Sequence, residues 1–185
     1  MSDIIDYVKS LEGTLEWKKG SNPKIVQMFK DAGHPEVVND DTAWCAAFVG
    51  HVLKHCGYTN SGSLLARSYL NYGTPVSVAD MQPGDVIIWS RGNSSWQGHV
   101  EFVLAKQGMF VKVIGGNVQD QVKVYNRKID NSLLGIRRPV KSSLKPAVSP
   151  EKEAVKPLIG TSKSAIAGII AAIGAAIAYY LGVFK

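Results

Sequence analysis

Apolar residues recur at helical spacing through the first part of the chain and at strand spacing after it. In "DIIDYVKSLEG" the apolar positions Ile4, Ile5, Val8 and Leu11 share one helical stripe, and Gly13 follows as a stop. "NPKIVQMFKDAG" carries Asn22 as a helix cap, Pro23 at the first helical position and Gly33 at the end. "NDDTAWCAAFVGHVLKHCG" offers Asp40, Asp41 and Thr42 as caps and Gly57 as a stop. Counted from Cys45, the residues Phe48, Val49, Val52, Leu53 and Cys56 fall on a single face, which predicts a buried helix. The period then shortens. "GDVIIWSRG", "GHVEFVLAK", "MFVKVIGG", "DQVKVYNRK" and "LLGIRRP" are β-branched or aromatic runs between turn residues. They are spaced as antiparallel neighbours, so residues 1–140 read as an α+β domain with helices first and a meandering sheet second.

Residues 141–162 break this pattern. "KSSLKPAVSPEKEAVKPLIGT" is rich in Pro, Ser, Lys and Glu and has no apolar period, which is a linker composition. Residues 163–185 form the third region. It holds "AIAGIIAAIGAAIAYYLGVF", twenty residues without a charge, bracketed by Lys163 and Lys185. As a helix this run is about 30 Å long, the thickness of a bilayer core. The expectation is a C-terminal transmembrane or membrane-active helix contacting lipid through residues 164–184, with a buried packing helix as the alternative. Gly168, Ala172 and Ala176 make a small-residue ladder suited to self-association.

Charge sharpens this division. The net charge is +6, yet residues 1–140 hold 15 basic against 13 acidic side chains, while the tail holds six against two. The excess suits an anionic surface such as lipid headgroups or acidic wall polymer. No basic stripe interleaved with aromatics marks the domain for nucleic acid. The start of the chain lacks a basic-then-apolar signal segment.

The chemistry candidates centre on the two cysteines. Cys45 sits in the first turn of its predicted helix, where unpaired N–H groups and the helix dipole favour a thiolate. Cys56 sits at the disfavoured end and reads as packing. At about 16 Å apart along one helix, the two cannot form a disulfide. His51 and His55 do not reach Cys45 on that helix: His51 is rotated about 240° from it, and His55 is nearly three turns away. As an H-x-x-x-H pair they lack a glutamate and a third ligand, so no metal or cofactor is expected. His99, at the start of a predicted strand behind Gly98, is the histidine able to face a helix start. Asn117, after two glycines, and Glu101, two residues along from His99 on the same face, are both available to orient it.

The ordered set "WCAAFV" on a helix, then "ARSYLNYG", "PGDVIIW", "GHV", "GGN" and "LGIRRP" resembles the papain-like amidohydrolases and endopeptidases of bacterial cell walls. It is similar to the CHAP group (cysteine, histidine-dependent amidohydrolase/peptidase) and its relatives among phage lysis enzymes, over about residues 20–140. The resemblance implies a papain-like fold with Cys45 as nucleophile, His99 as base and Asn117 as third member. It implies substrate contacts at Trp44, Arg67, Tyr69 and Glu101, although Glu101 stands where such enzymes often carry a small or apolar residue. Pro83, Gly84 and Asp85 match a structural turn. The implied activity is thiol-dependent cleavage of an amide bond in peptidoglycan, as amidase or endopeptidase, by a phage-type lytic enzyme tethered to a host inner or virion membrane. Lysines gather on the domain side of the apolar run, which by the positive-inside tendency turns the domain toward the cytoplasm, away from the wall. Two rival expectations stand beside this one. One is a holin-like or virion-membrane protein whose domain binds the wall; the other is a Cys/His acyltransferase or effector on the same scaffold.

Overall fold

A computed structural model describes residues 1–142. The linker and the apolar helix expected beyond them lie outside the described residues, apart from Lys141 and Ser142. Among the described residues no helix is long and apolar enough to cross a membrane.

The fold is α+β with an antiparallel sheet, as the change of period predicts. Helices α1 (Ser2–Ser10), α2 (Pro23–Ala32) and α3 (Cys45–His55) come first, then a 3-10 turn (Ala66–Asn71). Six strands follow: β1 (Thr74–Val76), β2 (Val86–Ser90), β3 (Gly98–Gln107), β4 (Phe110–Gly115), β5 (Lys123–Lys128) and β6 (Leu133–Arg138). Their order across the sheet is β1-β6-β2-β3-β4-β5. The meander therefore holds only from β2 to β5. The last strand crosses back to lie between β1 and β2, pairing Ile87 with Ile136 on one side and Val76 with Ile136 on the other.

Local signals place α2 well. Asn22 accepts a bond from the Lys24 N–H at 2.9 Å, and Gly33 adopts the left-handed φ of 102° that ends the helix. They place the start of α3 less well. Its cap is Trp44, with no side-chain cap bond. Asp40, expected as a cap, is buried and instead accepts from the Asn22 N–H at 2.8 Å, tying the entry of α2 to the approach of α3.

Strand alternation divides the core between the two sheet faces. Val86, Ile88, Val100, Phe102 and Ile114 face the helices and pack with Phe48, Val49, Val52 and Leu53 of α3. Phe48 meets Phe102 edge to face, ring centres 6.3 Å apart. Ile87, Trp89, Val103, Val111, Val113 and Ile136 form a second cluster on the other face. His99 and Glu101 alternate with Val100 and Phe102, so they belong to the face away from the helices. The turn before β2 is fixed by Asp85, which has no exposed surface. Its carboxylate accepts from the Gln82 N–H at 2.8 Å and from Arg138 of β6 at 2.9 and 3.0 Å.

Candidate active site

Cys45 is the first residue of α3, and the first backbone bond of that helix runs from the Phe48 N–H to the Trp44 carbonyl. The amides ahead of Phe48 thus have no partner within the helix, and the positive end of the dipole lies at the thiol. The side chain is almost wholly enclosed, with the residue 8% exposed. Burial alone pushes the thiol up. Pairing with the His99 imidazole and backbone N–H groups of Val100 and Ala46 outweigh it, and the thiol lies below its ordinary range. Cys56, capping the far end of α3, is pushed up by burial and by Asp3. Both cysteines are free.

His99 opens β3 opposite Trp89 of β2. Gly98 before it is required by close approach: a Cβ there would sit 2.7 Å from the Trp89 carbonyl oxygen and 3.2 Å from Arg67 Cγ. Burial pulls the His99 imidazole down, but Cys45 and Glu101 raise it to about 9. Cys45 and His99 are therefore shifted toward each other's charged form, a thiolate beside an imidazolium.

Glu101 lies behind His99. Its Oε2 stands 3.5 Å from His99 Nε2, an ion-pair separation rather than a formed hydrogen bond. The same oxygen accepts from the Tyr125 hydroxyl at 2.8 Å, and Oε1 faces Arg127 Nη1 at 3.7 Å. Arg127 in turn stacks over the Trp89 ring, 4.1 Å from its centre. Burial first, then the Glu101 charge, drives the Tyr125 phenol strongly up, so it stays a donor. Gly115 of β4, directly across the sheet, is what admits this carboxylate. A Cβ on it would lie 3.0 Å from both Cβ and Oε2 of Glu101 and 3.1 Å from His99 Nε2.

Cys45, His99 and Asn117 line one cavity of about 190 Å³, together with Leu64, Leu65, Ala66, Arg91 and Trp96. Asn117 stands in the left-handed region (φ 59°) just after β4. Among the described residues no hydrogen bond joins its side chain to His99; the group that faces the ring is Glu101.

The expected substrate contacts divide differently. Trp44 has no exposed surface, and its indole donates to the Glu16 carboxylate, so it is a core residue under the helix start. Tyr69, 1% exposed, donates to the Ala46 carbonyl at 3.3 Å and braces α3 from behind. Glu101 has no exposed surface and lies behind His99, outside the walls of that cavity. Arg67 clamps the loop before β3, donating to the Gln97 and Ser94 carbonyls at 2.7 Å each. That clamp holds Trp96, 63% exposed, at the cavity mouth. Sequence reasoning missed Trp96 and Arg91 because they sit in "SRGNSSWQG", a stretch that reads as turn. It missed Tyr125 and Arg127 because a strand's period does not say what its neighbour across the sheet carries.

The other histidines serve structure. His51 bridges Tyr7 and Asp31, each at 2.8 Å, and His55 stacks on Tyr7 with ring centres 3.6 Å apart. Among the described residues no group of three or more His, Cys, Asp or Glu is arranged to hold a metal ion.

Residues 37–117 match the CHAP domain, a span that contains Cys45, His99 and Asn117. No curated protein matches the chain. Among solved structures, the chain is similar to an NlpC/P60 family protein from Bacillus cereus, with 17% identity and a TM-score of 0.48 over 74% of this chain and 39% of that one. It is also similar to an NLP/P60 family protein from Staphylococcus aureus described as similar to a lipoprotein, with 17% identity and a TM-score of 0.47 over 76% of this chain and 41% of that one. A third is RipD from Mycobacterium tuberculosis, described as a non-catalytic NlpC/p60 domain protein adapted to peptidoglycan binding, with 15% identity and a TM-score of 0.48 over 74% and 95%. The chain thus spans about two fifths of the length of the first two.

Proposed function

We propose that this chain hydrolyses an amide bond in the peptide part of peptidoglycan by a thiol mechanism. The observation that carries the reading is the Cys45–His99 pair. A helix-start thiol lies below its ordinary range, a histidine is raised to about 9, and both line one cavity within the span that matches the CHAP domain. The Cys45 thiolate attacks the amide carbonyl, and the carbon–sulfur bond forms as negative charge moves onto the oxygen. N–H groups at the start of α3, that of Cys45 among them, stabilise that oxyanion. The His99 imidazolium gives its proton to the departing amine as the carbon–nitrogen bond breaks. Neutral His99 then takes a proton from water, whose oxygen attacks the thioester and releases the acid and the thiol. Glu101 holds the ring and favours its protonated form, so the third group of this site is a carboxylate on the histidine's own strand.

The reading extends to a lytic role of the phage type at a membrane, through the apolar run 165–184. It rests there on the length and composition of that run. The deciding experiment incubates purified peptidoglycan with the full chain and with Cys45→Ala, and identifies released fragments by mass spectrometry. Wild type releases fragments bearing one new amine each, and Cys45→Ala loses about three orders of magnitude or more in rate. The masses also say whether the bond joins sugar to peptide or two amino acids. Equal release by both proteins defeats the reading.

A further inference from the structure

A second cavity, of about 200 Å³, lies against the first. The two share Arg91, His99 and Asn117 as walls, and the second adds Ser90, Gln119, Tyr125 and Arg127. Among the described residues no acidic side chain lines either one. Arg127 is partly committed, stacked on Trp89 and 3.7 Å from the buried Glu101. Arg91 is not. It is exposed in the turn after β2 and makes no hydrogen bond or ion pair among the described residues. Two guanidinium groups thus line the second cavity with His99, and Arg91 has no counter-charge among the described residues.

We infer that this second cavity is a carboxylate subsite, which selects substrates carrying a free carboxylate beside the scissile amide. The inference rests on the hydrolase reading and names the substrate class of that same site. Guanidinium matches a carboxylate in two parallel N–H···O bonds, a geometry that a carboxamide reproduces poorly because its NH2 group meets donors. Arg91, His99 and Asn117 line both cavities, so a carboxylate held in the second lies beside the cavity that Cys45 lines. The Ser90 hydroxyl, Asn117 and Gln119 offer further donors around such a group, whereas the Tyr125 hydroxyl is already given to Glu101. Leu64, Leu65 and Trp96 of the first cavity suit the uncharged part of the same substrate.

The test uses the full chain on purified peptidoglycan in two forms: one with its peptide carboxylates free, and one with them converted to carboxamides by carbodiimide and ammonia. Initial rates of amine release are compared for wild type, Arg91→Gln and Lys9→Gln. The last variant removes the same charge from α1, outside both cavities. Wild type should favour the carboxylate form by about tenfold, the worth of one charge-assisted bidentate contact. Arg91→Gln should bring that ratio close to one, and Lys9→Gln should leave it in place. Equal rates on both forms by wild type overturn the inference while leaving the hydrolase reading intact. So does a ratio that survives Arg91→Gln, or one that Lys9→Gln lowers as much. Cleavage of neither form by wild type refutes the hydrolase reading and this inference with it.

Discussion

Replacing Glu101 by Gln removes one buried negative charge and keeps the side chain's shape. The carboxylate is one of two groups that lift His99 from 6.5 to about 9 against the opposing pull of burial. That lift is worth about 3.4 kcal/mol at 1.36 kcal/mol per unit. Cys45 and Glu101 share that lift, and an equal share assigns Glu101 on the order of one unit, about 1.4 kcal/mol or tenfold in the protonation equilibrium. The sign follows from where the charge acts. At acid pH His99 is protonated with or without Glu101, so the ionisation of Cys45 that sets the acid limb of activity scarcely moves. At alkaline pH the imidazolium loses its proton, and without Glu101 it does so about one unit earlier. The alkaline limb of kcat/KM should therefore fall from near 9 to near 8. The rate near pH 9 should drop severalfold, with a much smaller loss at pH 7.

The assay is a pH profile of kcat/KM on soluble peptidoglycan fragments, supported by the pH dependence of Cys45 alkylation in a Cys56→Ser background. Thermal melting of the same variant reports any structural cost, because the Tyr125 hydroxyl still finds an oxygen on Gln while Arg127 loses its nearest anion. A purely structural role for Glu101 would lower the melting temperature and leave the alkaline limb where it was. That outcome refutes the reasoning. Asn117→Ala is the companion measurement: with no bond from Asn117 to the ring, its alkaline limb should coincide with that of wild type. A downward shift matching that of Glu101→Gln would make Asn117 the orienter instead.

Two further substitutions probe what holds the site. Gly115→Ala places a methyl group 3.0 Å from Glu101 and 3.1 Å from His99 Nε2, on a strand paired on both sides. It should cost about 1 kcal/mol of stability as local overpacking and lower kcat by about tenfold through the displaced pair. Combined with Glu101→Gln, its effect on kcat should be far less than additive, because both act on one contact; additive losses in that double-mutant cycle would refute it. Asp85→Ala strips the buried partner from Arg138 and from the Gln82 N–H. Urea unfolding should show about 1–3 kcal/mol lost, since Arg138 is left partly exposed to water, with activity per folded molecule retained, and a loss well under about 1 kcal/mol would contradict the role assigned to the turn.

What the sequence revealed, and what it hid, follows the range of each signal. Asn22, Pro23 and Gly33 bracket α2 because capping is decided within four residues. Strands β2 to β6 are legible because period-two runs sit between turn residues. The placement of β6 between β1 and β2 is not legible, since nothing in "LLGIRRP" names its neighbours. Asp40 has the residue type of a cap but bonds to Asn22, a contact made only once α2 and α3 are folded. The same boundary runs through the site. Cys45 at a helix start and His99 after a close-packed glycine are local features and can be read directly. Whether Glu101 or Asn117 faces the imidazole depends on the register of β3 against β4, which sets a glycine opposite the glutamate. Trp44 adjoins Cys45 in the sequence yet is buried with its indole bonded to Glu16, and Tyr69, from the 3-10 turn, ends against the Ala46 carbonyl; neither contact can be read from the sequence.

The charges of the site explain why a carboxylate is tolerated where it is. The structure sets Cys45, His99, Glu101 and Arg127 in succession, with Cys45 shifted toward its thiolate and His99 toward its imidazolium. Burying a carboxylate away from water is costly unless it is paired. In this row its desolvation is offset on one side by His99 and on the other by Arg127, with the Tyr125 hydroxyl satisfying the oxygen between them. Arg91 stands outside this row as a further positive charge at the cavity wall. A substrate carboxylate arriving beside Arg91 therefore meets a cation that no ion pair among the described residues engages. Removing Glu101 has the opposite consequence: it leaves Arg127 without its anion and His99 without its support in a single step. Loss of Arg91 should accordingly change which substrates are cut, whereas loss of Glu101 should change the pH at which any substrate is cut.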